Sequence, residues 1–213
     1  MKILWRSKLQ KMVVTGVMAA LLAVLTQISI PLPTGIPVTL QTFVVALCGY
    51  LLGPGLGALS VGVYLALGAV GLPVFAGFAG GLASFAGMTG GYLWAFLPMA
   101  CLCGLGARRG GKPWALVLGA LGLAVCHLCG AFQFAAVMSL SPWQAFLTAS
   151  APYLIKDALS LELAVQIALM IWVLITAIRK QNAGVAAVTL GSFLFMKPVL
   201  VLISLTMSVC WIL

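Results

Sequence analysis

The chain has 213 residues, of which 64% are hydrophobic and 6% charged, with a mean hydropathy of +1.24. A soluble domain carries about a quarter charged residues, so this composition excludes one and predicts an all-α integral membrane protein; the apolar runs are long and unbroken, without the alternation of barrel strands. The net charge of +9 does not point to nucleic acid, because the basic residues are gathered in a few loops and ends, as the positive-inside rule expects of a membrane protein.

At roughly 20 residues per span, the length holds six or seven helices and leaves no room for a separate catalytic or nucleotide-binding domain. The apolar run Val13 to Ile30 is too long for a signal-peptide core and is not closed by an A-x-A site. It is read as a retained first helix with a cytoplasmic N-terminus. The proline-rich segment from Pro31 to Pro37 is a stiff loop. Span 2 covers Val38 to Leu52, Gly53-Pro54-Gly55 is a tight turn, and span 3 covers Leu56 to Val70. Glycine-rich sequence from Gly71 to Gly91 leads into span 4, which ends near Gly106. Span 5 is Trp114 to Val137, a polar connection runs from Ser139 to Ser150, and span 6 is Ala151 to Ala177.

With the N-terminus inside, nine of the eleven basic residues fall on the cytoplasmic side, the exceptions being Lys156 and Lys197. That agreement supports six spans up to residue 182. The tail from 183 to 213 is apolar and is divided by Lys197-Pro198. It admits two readings: a seventh span, or an interfacial segment followed by a short span.

Two motifs dissolve on inspection. The run from Gly106 to Pro113, GARRGGKP, follows most of a phosphate-loop pattern. It ends in proline where Ser or Thr would bind magnesium, and no buried strand precedes it. Cys126-His127-Leu128-Cys129 lacks the second ligand pair that structural zinc requires. His127 is read as a buried imidazole bonded to a neighbouring helix, and the six cysteines as small buried hydrophobes. No metal, cofactor or catalytic group is expected.

Function is sought at the acidic residues, because there are two, Asp157 and Glu162, in one apolar stretch. An ionisable group at membrane depth is costly without a partner. Lys156-Asp157 is read either as an internal ion pair or as a ligand-recognition pair near the external end of span 6. Gln41 with Thr39 and Thr42 opens span 2 and forms one candidate polar wall. The stretch from Gly77 to Tyr92 forms another, since such glycine density suits irregular backbone around a cavity shielded from lipid. On span 1, Gly16-xxx-Ala20 and Ala19-xxx-Ala23 put small residues at helical spacing, for internal packing or for contact with a separate membrane subunit.

The segments PLPTGIPVTLQT from Pro31 to Thr42, LGPGLGALS from Leu52 to Ser60, GLPVFAG from Gly71 to Gly77 and TGGYL from Thr89 to Leu93 together resemble the BioY family. These are the biotin-binding S-components of energy-coupling factor (ECF) transporters, and the likeness covers roughly residues 13 to 180. The resemblance implies a six-helix, vitamin-binding membrane domain over residues 1–182 with an externally facing pocket; the apolar extension over 183–213 exceeds the family pattern. It also implies biotin uptake at the plasma membrane with a transmembrane coupling subunit (T-component) and two cytoplasmic ATPases, the chain itself being no enzyme. Ala19 and Ala23 match the family's coupling-subunit motif. The family aspartate is followed three residues later by a lysine. Asp157 matches the aspartate, but Ser160 stands where the lysine is expected, and Lys156, one turn earlier, is offered as its substitute. Met88 also stands where a proline is usual. The expected binding set is Asp157, Gln41, Thr42, Tyr92, Tyr153, Lys156 and Ser160. The alternatives are an S-component for another small vitamin or precursor, a membrane enzyme, for which the titratable groups are too few and scattered, and an assembly subunit without ligand.

Overall fold

A computed structural model describes residues 7–32 and 35–179, together with 184, 185 and 189. Almost all of the tail singled out above therefore lies outside the described residues, including Lys197, Pro198 and Cys210. Among the described residues, five helices are long and apolar enough to cross a membrane. α1 (Lys8–Thr26) starts at a capping box in which Ser7 and Gln10 satisfy each other's backbone N–H groups. It begins and ends several residues earlier than the apolar run suggests. The end of that run forms instead β1 (Ser29–Ile30), which pairs antiparallel with β2 (Val38–Thr39) and closes the proline-rich loop into a hairpin.

α2 (Gln41–Ala69) contains the two short spans of the sequence reading. Gly53 takes φ +79° and ψ 177°, outside helical space, and the chain folds back on itself there. Gln41 Nε2 consequently donates to Tyr64 Oη across 23 positions at 2.7 Å, which one straight helix could not permit at 1.5 Å per residue. A Cβ on Gly57 would lie 2.8 Å from the carbonyl oxygen of Cys48, so the two arms touch at backbone distance. With α2 counted as two arms, the bundle has the six crossings expected.

The glycine-rich segment is irregular, as its composition implies. It holds a short 3-10 turn (Ala76–Phe78) and one helical turn, α3 (Ala83–Ala86). α4 (Gly90–Arg109) and α5 (Lys112–Met138) are joined through Gly110 and Gly111, both at positive φ. The guanidinium of Arg109 lies 4.8 Å from the Trp114 ring centroid. The connection read as merely polar contains a helix, α6 (Pro142–Ala149). Its start was written in the sequence: Ser141 caps it reciprocally with Gln144, and Pro142 occupies the first helical position. A 3-10 turn (Ala151–Tyr153) leads into α7 (Leu154–Arg179).

The core is built around α2, which packs on α1, α4 and α7, while α5 packs on α4, α6 and α7. Small residues allow close approach, as lipid-embedded helices require. A Cβ on Gly104 would stand 2.3 Å from the Pro54 nitrogen. The bundle is polarised. The α2 hairpin, the α4–α5 turn with Arg108 and Arg109, and the beginning of α1 share one end. The β hairpin, the glycine-rich segment, α6 and the start of α7 share the other. The described cysteines are all free; Cys48, Cys103 and Cys126 are buried, and Cys129, against expectation, is exposed on the outer face of α5.

Candidate functional site

At the pole away from the basic turns, a cavity of about 250 Å³ lies between the β hairpin, the glycine-rich segment and the start of α7. Asp157, Lys156, Gln41, Thr42, Tyr92 and Tyr153 all line it. These are six of the seven residues singled out for binding. Ser160 is buried deeper on α7 and is not among the lining residues. Helix geometry explains this, because Cα–Cβ bonds lean toward the helix N-terminus. The long stem of Lys156 reaches the loop at Thr39, whereas the short side chain of Ser160 stays at its own level.

Asp157 is 4% and Lys156 5% exposed, so their charges must be answered locally. The ammonium and Asp157 Oδ1 form an ion pair. Thr42 Oγ1 donates to the same carboxylate oxygen at 2.5 Å. Lys156 Nζ also donates to the Thr39 carbonyl at 3.0 Å and to Thr42 Oγ1 at 3.3 Å. An ammonium has three donors, and here all three are committed. The internal pair of the sequence reading is therefore present, and it sits in the wall of a cavity. Lys156 works on Asp157 and on the hairpin, with no N–H to spare for a guest.

The aromatic residues are held through their polar tips. Tyr153 Oη donates to the Ile36 carbonyl at 2.6 Å, which fastens the proline-rich loop to the start of α7. Tyr92 Oη donates to the Ala149 carbonyl at 2.6 Å and lies 3.0 Å from Ser150 Oγ. Both residues thus offer the cavity rings rather than hydroxyl groups. Gln41 bonds Tyr64 and accepts from Thr39 Oγ1 at 3.3 Å, so it braces the wall.

The sequence reading missed several contributors. His127, read as a helix-packing imidazole, does meet a neighbouring helix: its Nε2 is 3.3 Å from Asp157 Oδ2. It is also a cavity residue. Phe75 and Phe96 supply apolar lining. Phe75 stands edge-on to Tyr64 and Phe85, with ring centroids 5.4 Å and 5.5 Å away, the geometry aromatic quadrupoles favour. Gln27, at the end of α1, anchors the glycine-rich loop. Its Nε2 donates to the carbonyls of Val74 (3.0 Å) and Phe75 (3.2 Å), and its Oε1 accepts from the Phe78 N–H (3.1 Å). A glutamine following an apolar run was the available signal.

Glu162 is elsewhere. It pairs with Lys112 at 2.6 Å and with Gln166, and it is not a cavity residue. Of the small residues on α1, Ala19 is buried in the chain's own core and Ala23 packs partly against it, while Gly16 and Ala20 face outward.

A family model described as "BioY family" matches residues 1–177. The probable biotin transporter BioY of Pyrococcus horikoshii is 39% identical over 161 residues, which is 76% of this chain and 95% of the relative. The biotin transporter BioY of Thermotoga maritima is 42% identical over 125 residues, 58% of this chain and 73% of the relative. A solved structure, the S-component for biotin from an ECF-type ABC transporter, superposes with a TM-score of 0.70 at 29% identity, covering 76% of this chain and 89% of that one.

Proposed function

The chain belongs to the BioY family, and on that premise we propose that it is the biotin-binding S-component of an ECF transporter, taking biotin up across the cytoplasmic membrane. The observation that carries this reading is a buried carboxylate, neutralised by its own lysine, in the wall of a cavity bounded by irregular loops. A carboxylate so placed accepts hydrogen bonds from N–H groups, which the ureido ring of biotin supplies. Tyr92, Tyr153, Phe75 and Phe96 give that ring system apolar and aromatic surface. The cavity, at about 250 Å³, is just under the common range of roughly 300–1,000 Å³ for small-molecule sites, as suits a ligand of vitamin size.

In this reading Asp157 recognises the guest. Lys156 and Thr42 neutralise and orient it, and Gln41, Tyr92 and Tyr153 shape the pocket. The positive-inside rule supports a cytoplasmic N-terminus and α4–α5 turn, with the cavity mouth outside. The chain binds and reorients, while two ATPase subunits hydrolyse ATP and a T-component couples them to it. The small face available to that subunit on α1 is Gly16 with Ala20, with Ala23 at its edge; Ala19 supports the helix from within. The binding domain in this reading is residues 1–182. Titration of purified protein with biotin and a panel of other vitamins tests the assignment. Saturable biotin binding with a rise in melting temperature is expected, and a preference for another vitamin overturns it.

A further inference from the structure

We propose that His127 is a specificity-determining residue that donates a hydrogen bond from Nε2 to the ureido carbonyl of the ligand, beside Asp157 Oδ2, which accepts a ureido N–H. The inference rests on the biotin reading and goes beyond it by assigning the carbonyl's partner.

The first support is an orphaned group. His127 is 3% exposed and lines the cavity. Neither ring nitrogen has a hydrogen-bond partner among the described residues. Nε2 stands 3.3 Å from Asp157 Oδ2, within ion-pair reach but without hydrogen-bond alignment. Buried polar groups are nearly always hydrogen-bonded, and a ring whose polar neighbour is a misaligned carboxylate in the wall of a cavity is ready to be answered by what enters it.

The second support is elimination. A cyclic urea needs a donor for its oxygen as well as acceptors for its N–H groups. Lys156, the cation beside the cavity, already spends its three donors on Thr39, Thr42 and Asp157. Thr42 spends its hydroxyl proton on Asp157. The hydroxyl groups of Tyr92 and Tyr153 point at backbone carbonyls. Among the side chains that touch Asp157, the imidazole N–H is the donor left.

The third support is spacing. In a cyclic urea one edge shows N–H and C=O side by side, with nitrogen and oxygen about 2.3 Å apart for amide bond lengths. The protein opposes it with an acceptor and a donor 3.3 Å apart, so two near-parallel hydrogen bonds can form at once. The ring is also held in place. Ser150 Oγ donates to the His127 carbonyl at 3.2 Å, and Tyr92 stands edge-on to the imidazole, with centroids 6.1 Å apart at 88°.

The test pairs protein variants with a ligand change. In 2-iminobiotin a hydrogen-bearing guanidinium nitrogen replaces the urea oxygen, so it offers His127 no acceptor. Wild-type protein should prefer biotin, and His127→Phe should lower that preference about ten- to hundredfold. His127→Gln, which keeps an N–H near the Nε2 position, should retain most of it. A role in packing alone would weaken both ligands equally, and an unchanged preference in His127→Phe overturns the proposal. Wild-type protein supplies a second readout, because His127 is the single histidine. In tag-free protein labelled with 15N-histidine, biotin should shift the imidazole nitrogen signals and protect one N–H from exchange; unmoved signals in biotin-saturated protein overturn the proposal as well. Failure of wild-type protein to bind biotin at all would instead remove the functional reading beneath it.

Discussion

Replacing Asp157 with asparagine separates recognition from charge balance. The side chain keeps its shape but loses its charge, and one of its two ends becomes a donor. Three groups feel the change: the Lys156 ammonium, Thr42 Oγ1 at 2.5 Å and His127 Nε2 at 3.3 Å. Lys156 is left as a buried cation with the Thr39 carbonyl and Thr42 for company. Removing one partner of a buried pair typically costs about 3–5 kcal/mol, and the two remaining bonds place this case at the lower end. On the ligand side, a hydrogen bond to a charged acceptor contributes about 1.5–3 kcal/mol against about 1 for a neutral one. Biotin affinity should therefore fall about 2- to 30-fold, and further if the amide turns its NH₂ toward the guest. Calorimetric biotin titration and thermal unfolding of the purified protein measure both effects. The control is Asp157→Asn combined with Lys156→Met, which removes both charges. Stability should largely return in the double variant, because the orphaned cation is gone, while affinity should stay low. A double variant that regains both would reduce the carboxylate to a counter-ion and refute its role in recognition.

Gln27→Leu removes three hydrogen bonds between α1 and the loop bearing Phe75; at about 1 kcal/mol each, bound biotin should dissociate at least tenfold faster in a filter-binding chase. Gly104→Val puts a side chain 2.3 Å from the Pro54 nitrogen, where backbone cannot yield. Overpacking of about 1–3 kcal/mol should lower the melting temperature while biotin selectivity over other vitamins persists. Glu162→Gln breaks a partly exposed pair with Lys112, worth under about 1 kcal/mol, and biotin affinity should match wild type. A tenfold loss there would show that the two acidic residues act together.

The crossings were legible because each is a long apolar run and because Gly53-Pro54-Gly55 cannot continue a helix. The acidic residue in the site was legible because lipid tolerates so few charges. The proline-rich and glycine-rich walls were legible because such backbone needs shelter from lipid. His127 was not legible as a cavity residue. It lies 30 positions from Asp157 on another helix, and the face of α5 that turns inward is fixed by its packing on α4, where Cβ atoms added at Gly91 and Gly130 would meet the Cys129 carbonyl at 2.3 Å and the Tyr92 ring at 2.2 Å. Small-residue spacing tells which helices can touch, not which face of each turns inward. The same limit applied on α1, where Gly16 and Ala20 rather than Ala19 face outward. The reach of Lys156 toward Thr39 needed the loop's position, which sequence periodicity does not contain.

The walls of the cavity are sewn together by a recurring kind of stitch: Tyr153 to the carbonyl of Ile36, Lys156 to that of Thr39, Gln27 to those of Val74 and Phe75, Gln133 to those of Phe85 and Gly87, and Tyr92 to that of Ala149. Every amino acid carries a backbone carbonyl, so these seams hold whatever side chain sits at the sewn position. The lining can be re-tailored for a different guest, one residue at a time, while the garment keeps its cut.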